Sequence, residues 1–249
     1  MDEAHFEWRA CNSNNKDLKE KMIEDNRYVT HGCSLDKMLG YKYSPDSDTM
    51  RISELKIDCK ANTKRLILAE SSKLFDPLSF TAPILVRSKL LISTLWGKRR
   101  SEDHWDETVS GEDSKIWSAL GRDLEGLSAL EFPRLSLSDG LQTDFFLFCD
   151  ASRKAYGVVV YAVQDGVSQF VFAKPKVAPL KSRTLPQLEL LGAKLGLETL
   201  ESLLEIFKHV NIGRVYLALD AQVVLSWILS PLKIKNIYTS NRNKDVKKN

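Results

Sequence analysis

The chain has no C-x-x-C pair and no two histidines at metal-ligand spacing. It also has no apolar stretch approaching the roughly 20 residues needed to cross a bilayer. Each absence removes a class. Cys11, Cys33, Cys59 and Cys149 lie far apart, so neither a zinc site nor a disulfide framework follows from them, and they read as free thiols. His5, His31, His104 and His209 are equally scattered and read as ordinary surface or core residues. The amino terminus, MDEAHFEWRA, is too polar and acidic for a signal peptide, which leads to the expectation of an intracellular protein, cytoplasmic or nuclear, with no membrane partner. Internal repeats and low-complexity tracts are missing as well.

What is present is apolar content of 43% in 249 residues, enough for a sizeable core in one large domain or two small ones. A net charge of +3 names no partner, but the cations are bunched in WGKRR (96–100), KPKVAPLKSR (174–183) and RNKDVKKN (242–249). Such clusters can neutralise phosphates or simply solvate a face.

Along the chain, GCSLDKMLGYKYSPDSDTMRIS predicts two short strands around the turn SPDSD. From Lys64 to Leu95 apolar residues recur at helical spacing, and FDPLSFTAP, with Pro77 and Pro83, separates two helices. GEDSKIWSALGRDLEGLSAL predicts a third helix with Ile116, Leu120, Leu124 and Leu127 on one face. Trp96, Trp105 and Trp117 read as core and interface anchors rather than base-stacking platforms. A domain boundary is expected near residue 138, where the texture changes. Beyond it come strands at about 144–150, 155–163 and 167–173, with Gln164, Asp165 and Gly166 turning between the last two. A T-x-x-Q capping box, Thr184 and Gln187, opens a helix running to about Lys208. RVYLALD follows as a buried parallel-type strand, and AQVVLSWIL as a helix stopped by Pro231. The expected fold is α/β: an α+β helical region, then a mixed sheet of antiparallel meander, crossover helix and parallel fourth strand.

One stretch of the meander, FFLFCDASRKAYGVVVYAV, holds Asp150 at the tip of a strand read as apolar on both faces. A turn explains it locally; two other residues suggest more. Asp220 ends its own strand in the same manner, and parallel neighbours would put both carboxylates at the sheet's carboxyl edge. Glu189 lies between them in sequence, in the second turn of the long helix, on a face made small by Gly192, Ala193 and Gly196. Three converging carboxylates repel one another, and a hard divalent cation such as magnesium relieves the repulsion. A pair of such ions suits phosphodiester cleavage.

The order of Asp, Glu and Asp on those elements resembles ribonuclease H. More narrowly, FCDASRKAYGVVVY, AKPKVAPLKSRTLPQLELLGAKL, LDAQVVLSWI and YTSNR are similar to the Pol polyprotein of BEL/Pao retrotransposons, as are TKRLILAESSKLFDPLSFTAPILVRSKLLISTLW and LGYKYSPDSD upstream. The resemblance runs from about residue 11 to 242. It implies that residues 1–138 are the end of a reverse transcriptase palm plus a thumb/connection-like helical region, and 139–249 a C-terminally truncated ribonuclease H-like domain. It further implies Asp150, Glu189 and Asp220 as catalytic and metal-binding residues, Mg2+ or Mn2+ as cofactor, and cleavage of RNA in RNA/DNA hybrids. The rest of the Pol polyprotein would be a partner. No Y-x-D-D-like polymerase motif occurs, and a fourth carboxylate would lie beyond the chain, since Asp245 falls too soon; impaired activity is the expectation. Ala221 and Ser79 stand where the family usually has serine and glycine. Lys174, Lys176, Lys181 and Arg183, just before the Glu189 helix, are the candidate backbone contacts, recognising a hybrid by shape and 2′-hydroxyls. The alternatives are a non-catalytic nucleic-acid-binding remnant and an aspartic peptidase, the latter poorly matched because only SDG (138–140) and DAS (150–152) approach its D-[ST]-G motif.

Overall fold

The computed structural model describes residues 13, 15–24, 37–98 and 104–229. After helix α1 (Lys16–Glu24), the SPDSD turn joins β2 (Tyr41–Ser44) to β3 (Thr49–Ile52), as its turn residues predict, and β1 (Lys37–Met38) pairs with β2. The sheet is completed from far along the chain. β4 (Glu131–Pro133) pairs antiparallel with β3, Thr49 opposite Pro133, giving the order β1-β2-β3-β4. Local pattern carries no signal for a three-residue strand whose partner is some 80 residues away.

Three helices cover this sheet: α2 (Lys64–Ser71), α3 (Ala82–Lys98) and α4 (Gly111–Gly126). Thr63 caps α2, its hydroxyl accepting from the Leu66 N–H at 3.3 Å. Asp76 organises the break before α3: its carboxylate takes the Phe80 and Thr81 N–H groups at 3.1 and 2.8 Å, the Thr81 hydroxyl at 2.6 Å and the buried Tyr41 hydroxyl. Tyr41, Met50 and Ile52 share one core with Ile67, Leu91, Trp117, Leu120 and Leu124. The expected inward face of α4 holds for Leu120, Leu124 and Leu127 and fails at Ile116. Ile116 is exposed, and Trp117 is fully buried with its Nε1–H donating to the Asp58 carbonyl at 2.9 Å. Stepping one residue turns a helix by about 100°, and the larger ring occupies the inward place.

The second sheet has the order β7-β6-β5-β8. β5 (Thr143–Ala151), β6 (Ala155–Gln164) and β7 (Val167–Val177) form the meander, with Asp165 and Gly166 at positive φ as a tight hairpin requires. β7 reaches past the expected end near residue 173 and carries Pro175, which an edge strand tolerates because it needs no N–H there. The Gln187 amide oxygen accepts from the Thr184 N–H at 3.2 Å at the start of α5 (Leu185–Ile206), which leads to β8 (Ile212–Leu219), parallel to β5, and α6 (Gln222–Leu229). Phe145, Leu147 and Cys149 of β5 and Val215 and Leu217 of β8 form a second core with Leu195 and Leu203 of α5.

Two expectations need correction here. β5 is not buried on both faces: Phe148 is 47% exposed on the side away from α5. β8 is an edge strand of the described sheet, with Arg214, Tyr216 and Ala218 exposed. Tyr216 and Ala218 kept the sequence apolar while facing outward, so a half-buried strand read as a buried one. Pro231 lies outside the described residues.

The two halves touch through β7. Phe80 stacks on Phe132 and lies tilted against Phe170, with ring centroids 4.4 and 4.8 Å away, and the Ala173 N–H donates to the Leu78 carbonyl at 3.0 Å. Among the described residues, no helix is long and apolar enough to cross a membrane.

Candidate active site

Parallel pairing places Cys149 opposite Leu219, so the next residues, Asp150 and Asp220, leave adjacent strands side by side, about 4.8 Å apart by strand spacing. Both are exposed, and Asp150 Oδ1 accepts from the Ala151 N–H at 2.7 Å. Glu189 approaches from α5 and is 8% exposed. Close packing of that helix makes the approach possible. A Cβ on Gly196 would fall 2.5 Å from Cys149 Sγ and 2.8 Å from a Leu217 methyl, so at this point only glycine lets α5 lie on β5 and β8. Gly192 was expected to serve the same purpose, but a Cβ there would meet the Asp150 carbonyl oxygen at an ordinary 3.5 Å.

Asp150, Glu189 and Asp220 each bring a carboxylate oxygen to one place, all within 4.8 Å of one another. The Glu189 carboxyl is pushed up to about 7, first by burial and then by the negative charges of Asp220 and Asp150. Three carboxylates with two exposed arms and one buried, poorly solvated arm form a hard-oxygen cradle able to hold a divalent cation.

Residues 63–221 match the family described as the Pao retrotransposon-like RNaseH-like domain. The chain belongs to this family. Among solved structures, it is similar to the foamy viral protease-reverse transcriptase in complex with an RNA/DNA hybrid, at 15% identity and TM-score 0.47 over 85% of this chain and 27% of the other. It is also similar to the same kind of protein in complex with dsDNA, at 13% identity and TM-score 0.48 over 86% of this chain and 42% of the other. The chain thus spans less than half the length of either. No curated protein matches it.

The cations of this Pao-family domain lie around the carboxylate end of the sheet. Asp150 is opposite Gly157, and Gly157 is opposite Pro175, so Lys174 and Lys176 flank a position two strands, about 10 Å, from Asp150. Lys174 Nζ sits 5.5 Å from the Phe172 ring centroid. Lys181 is exposed and Arg183 half-buried in the segment between β7 and α5. Sequence reasoning missed Arg153 and Lys154, exposed in the β5–β6 turn directly after Asp150. The Ser152 hydroxyl fixes that turn by accepting from the Lys154 and Ala155 N–H groups, and the Lys154 carbonyl accepts from the Ala178 N–H at 2.8 Å. A signal for them was available: between Asp150 and Glu189 the chain has six Lys or Arg and a single carboxylate, Asp165.

The remaining assignments fall into place or outside. Cys59 and Cys149 are free thiols, the latter pushed up to about 12 by burial. His104 pairs with Glu107 at 2.5 Å, and His209 lies against Phe207. Trp96 packs edge-on against Trp105. Cys11, Cys33, His5, His31, Asp245 and the cluster at 242–249 lie outside the described residues, as do Arg99 and Arg100 of WGKRR.

Proposed function

We propose that this domain cleaves the RNA strand of RNA/DNA hybrids, with Asp150, Glu189 and Asp220 as its catalytic carboxylates and Mg2+ or Mn2+ as cofactor. The convergence of the three side chains within 4.8 Å carries this reading. The donor set fits the ion: only oxygen ligands, no soft sulfur or imidazole, and a buried glutamate whose charge is costly without a cation. When bound, such ions supply an activated water and stabilise the leaving oxygen. Asp150 and Asp220 would present their carboxylates from the strand ends toward the substrate. Glu189 would hold the ion from beneath, on a helix fixed by Gly196 against the sheet. Lys174, Lys176, Lys181, Arg183, Arg153 and Lys154 would meet phosphates around it, giving salt-dependent binding.

In this reading residues 139–249 are the ribonuclease H-like unit of a Pol polyprotein, and 1–138 the connection leading into it from the polymerase. The two separate cores support that division, although the family match begins at residue 63 and so runs through the helices upstream of the boundary. The test uses a hybrid whose RNA and DNA strands carry different end labels. The expected product is cut RNA, formed only with Mg2+ or Mn2+ and absent in Asp150→Asn. Cleavage that survives Asp150→Asn, or no metal-dependent cut at any protein concentration, would refute catalysis at this site.

A further inference from the structure

Ile212 and Val215 of β8 both pack against the core under the second sheet, although they are three residues apart. A regular strand alternates its faces, so one residue between them must be extra. The pairing shows where it lies. Thr143 is opposite Ile212 and Phe145 is opposite Val215, so β5 advances two residues while β8 advances three, and the bulge falls at Gly213 and Arg214.

Asp144 holds this bulge. Its Oδ1 accepts from the Arg214 N–H at 2.8 Å and from Gln142 Nε2 at 3.1 Å, and its Oδ2 lies 3.4 Å from Arg214 Nη2. These partners, the Arg214 N–H foremost, keep the Asp144 carboxyl below its ordinary value. Gly213 leaves room for the arrangement: a Cβ there would fall 2.3 Å from Asp144 Oδ1 and 2.2 Å from Gln142 Nε2. On the amino side of the bulge the chain is fastened separately, by the Thr143 N–H donating to the Asn211 carbonyl and by Gln164 Nε2 donating to the Thr143 hydroxyl, each at 2.9 Å.

The consequence appears about 20 Å away, at the other end of the strands. Beyond the bulge the register runs from Phe145–Val215 to Cys149–Leu219 and brings Asp150 beside Asp220. Were the Thr143–Ile212 register to continue unbroken, Leu219 would face Asp150, and Asp220 would stand one residue further on, pointing to the opposite face. Among the described residues β8 is paired on one side only, so no second neighbour pins its register. We infer that Asp144 is a positioning residue for the carboxylate site: by holding the extra residue of β8 at Gly213 and Arg214, it keeps Asp220 in step with Asp150. The effect on metal binding rests on the divalent-metal reading above; the effect on register does not. Without the Asp144 carboxylate the bulged N–H loses its acceptor, and the extra residue is free to move along β8 toward Asp220 and to take the register with it.

The experiment uses the full chain and two readouts. Cross-strand nuclear Overhauser effects between β5 and β8 report the register in the metal-free protein, and electron paramagnetic resonance reports Mn2+ affinity. Asp144→Ala should weaken the effects that pair Cys149 with Leu219 and lower Mn2+ affinity about tenfold, the lower end for residues that orient a metal ligand. Gly213→Ala, whose methyl displaces the same carboxylate, should do likewise. Asp144→Asn, whose amide oxygen still accepts from the Arg214 N–H, should keep both readouts close to wild type. A carboxylate that only stabilised the fold would lower the urea midpoint in Asp144→Ala and leave the register and the Mn2+ affinity of the folded protein unchanged; that result overturns the inference. If the wild type takes up no Mn2+ while the register shifts in Asp144→Ala, the metal reading fails and the role of Asp144 in aligning the strands stands.

Discussion

Replacing Glu189 by glutamine should make the metal-free protein more stable at alkaline pH. The Glu189 carboxyl titrates near 7 in the fold, above its ordinary 4.5, so the folded state binds the proton more tightly than the unfolded chain does. Its stabilising contribution is complete below about pH 4.5 and is lost as pH rises through about 7. Each pH unit between those two values is worth about 1.4 kcal/mol, so the loss is at most about 3 kcal/mol. Water reaching the exposed Asp150 and Asp220 screens part of the repulsion, and about 1–3 kcal/mol is the working range. Glutamine keeps the shape and removes the charge, so Glu189→Gln should recover that amount near pH 8 and nothing near pH 4, where the wild-type side chain is already neutral. The assay is urea unfolding by circular dichroism in EDTA at both pH values. For a chain of this length the gain corresponds to about 2–4 °C in Tm per kcal/mol. A Glu189→Gln protein no more stable than wild type near pH 8 would refute the claim that the glutamate is held against burial and two like charges.

Three further outcomes follow from backbone and packing. Gly196→Ala should cost about 1–3 kcal/mol, because its methyl overlaps Cys149 and Leu217, whereas Gly192→Ala should be neutral or stabilising by up to about 1 kcal/mol through helix propensity; paired melting curves compare them. Ser79 has φ +57° in the turn before α3, so Ser79→Gly should stabilise by about 0.5–1 kcal/mol in urea unfolding, and a loss of stability would show that the hydroxyl matters more than the strain. Ala221 is the N-cap of α6, its carbonyl accepting from the Leu225 N–H at 3.0 Å, but its methyl can cap nothing; Ala221→Ser should add about 1 kcal/mol, and an unchanged denaturation midpoint would argue against the missing cap.

Where one segment's own pattern decided the structure, the sequence was readable. The hairpins at 44–48 and 164–166, the start of α5 at Thr184, and the placing of Asp150 and Asp220 at the ends of parallel strands all follow from local residues and short-range rules. The convergence of the three carboxylates was legible for a related reason, since Asp150 and Asp220 stand at strand ends and Glu189 in the second turn of the helix that crosses over them. What escaped depended on distant partners. β4 exists only because β3 is free to pair with it. Trp117 displaced Ile116 from the inward face because Asp58 offers a carbonyl to its ring nitrogen. The exposure of Phe148 and Tyr216 depends on which elements cover that face of the sheet, and a strand's composition carries no record of that. Arg153 and Lys154 were passed over as turn residues, although the bond from the Ala178 N–H to the Lys154 carbonyl and the pairing of Ala155 with Val177 bring their turn to the end of β7, a register that no local count reveals.

The central claim is that Asp150, Glu189 and Asp220 form one divalent-metal site, and Mn2+ titration followed by electron paramagnetic resonance near neutral pH tests it most directly. Saturable Mn2+ binding is expected of the wild-type chain, with affinity at least about tenfold weaker in each of Asp150→Asn, Glu189→Gln and Asp220→Asn, since each removes one oxygen ligand from the same ion. Equal Mn2+ affinity in the wild type and all three variants would contradict it.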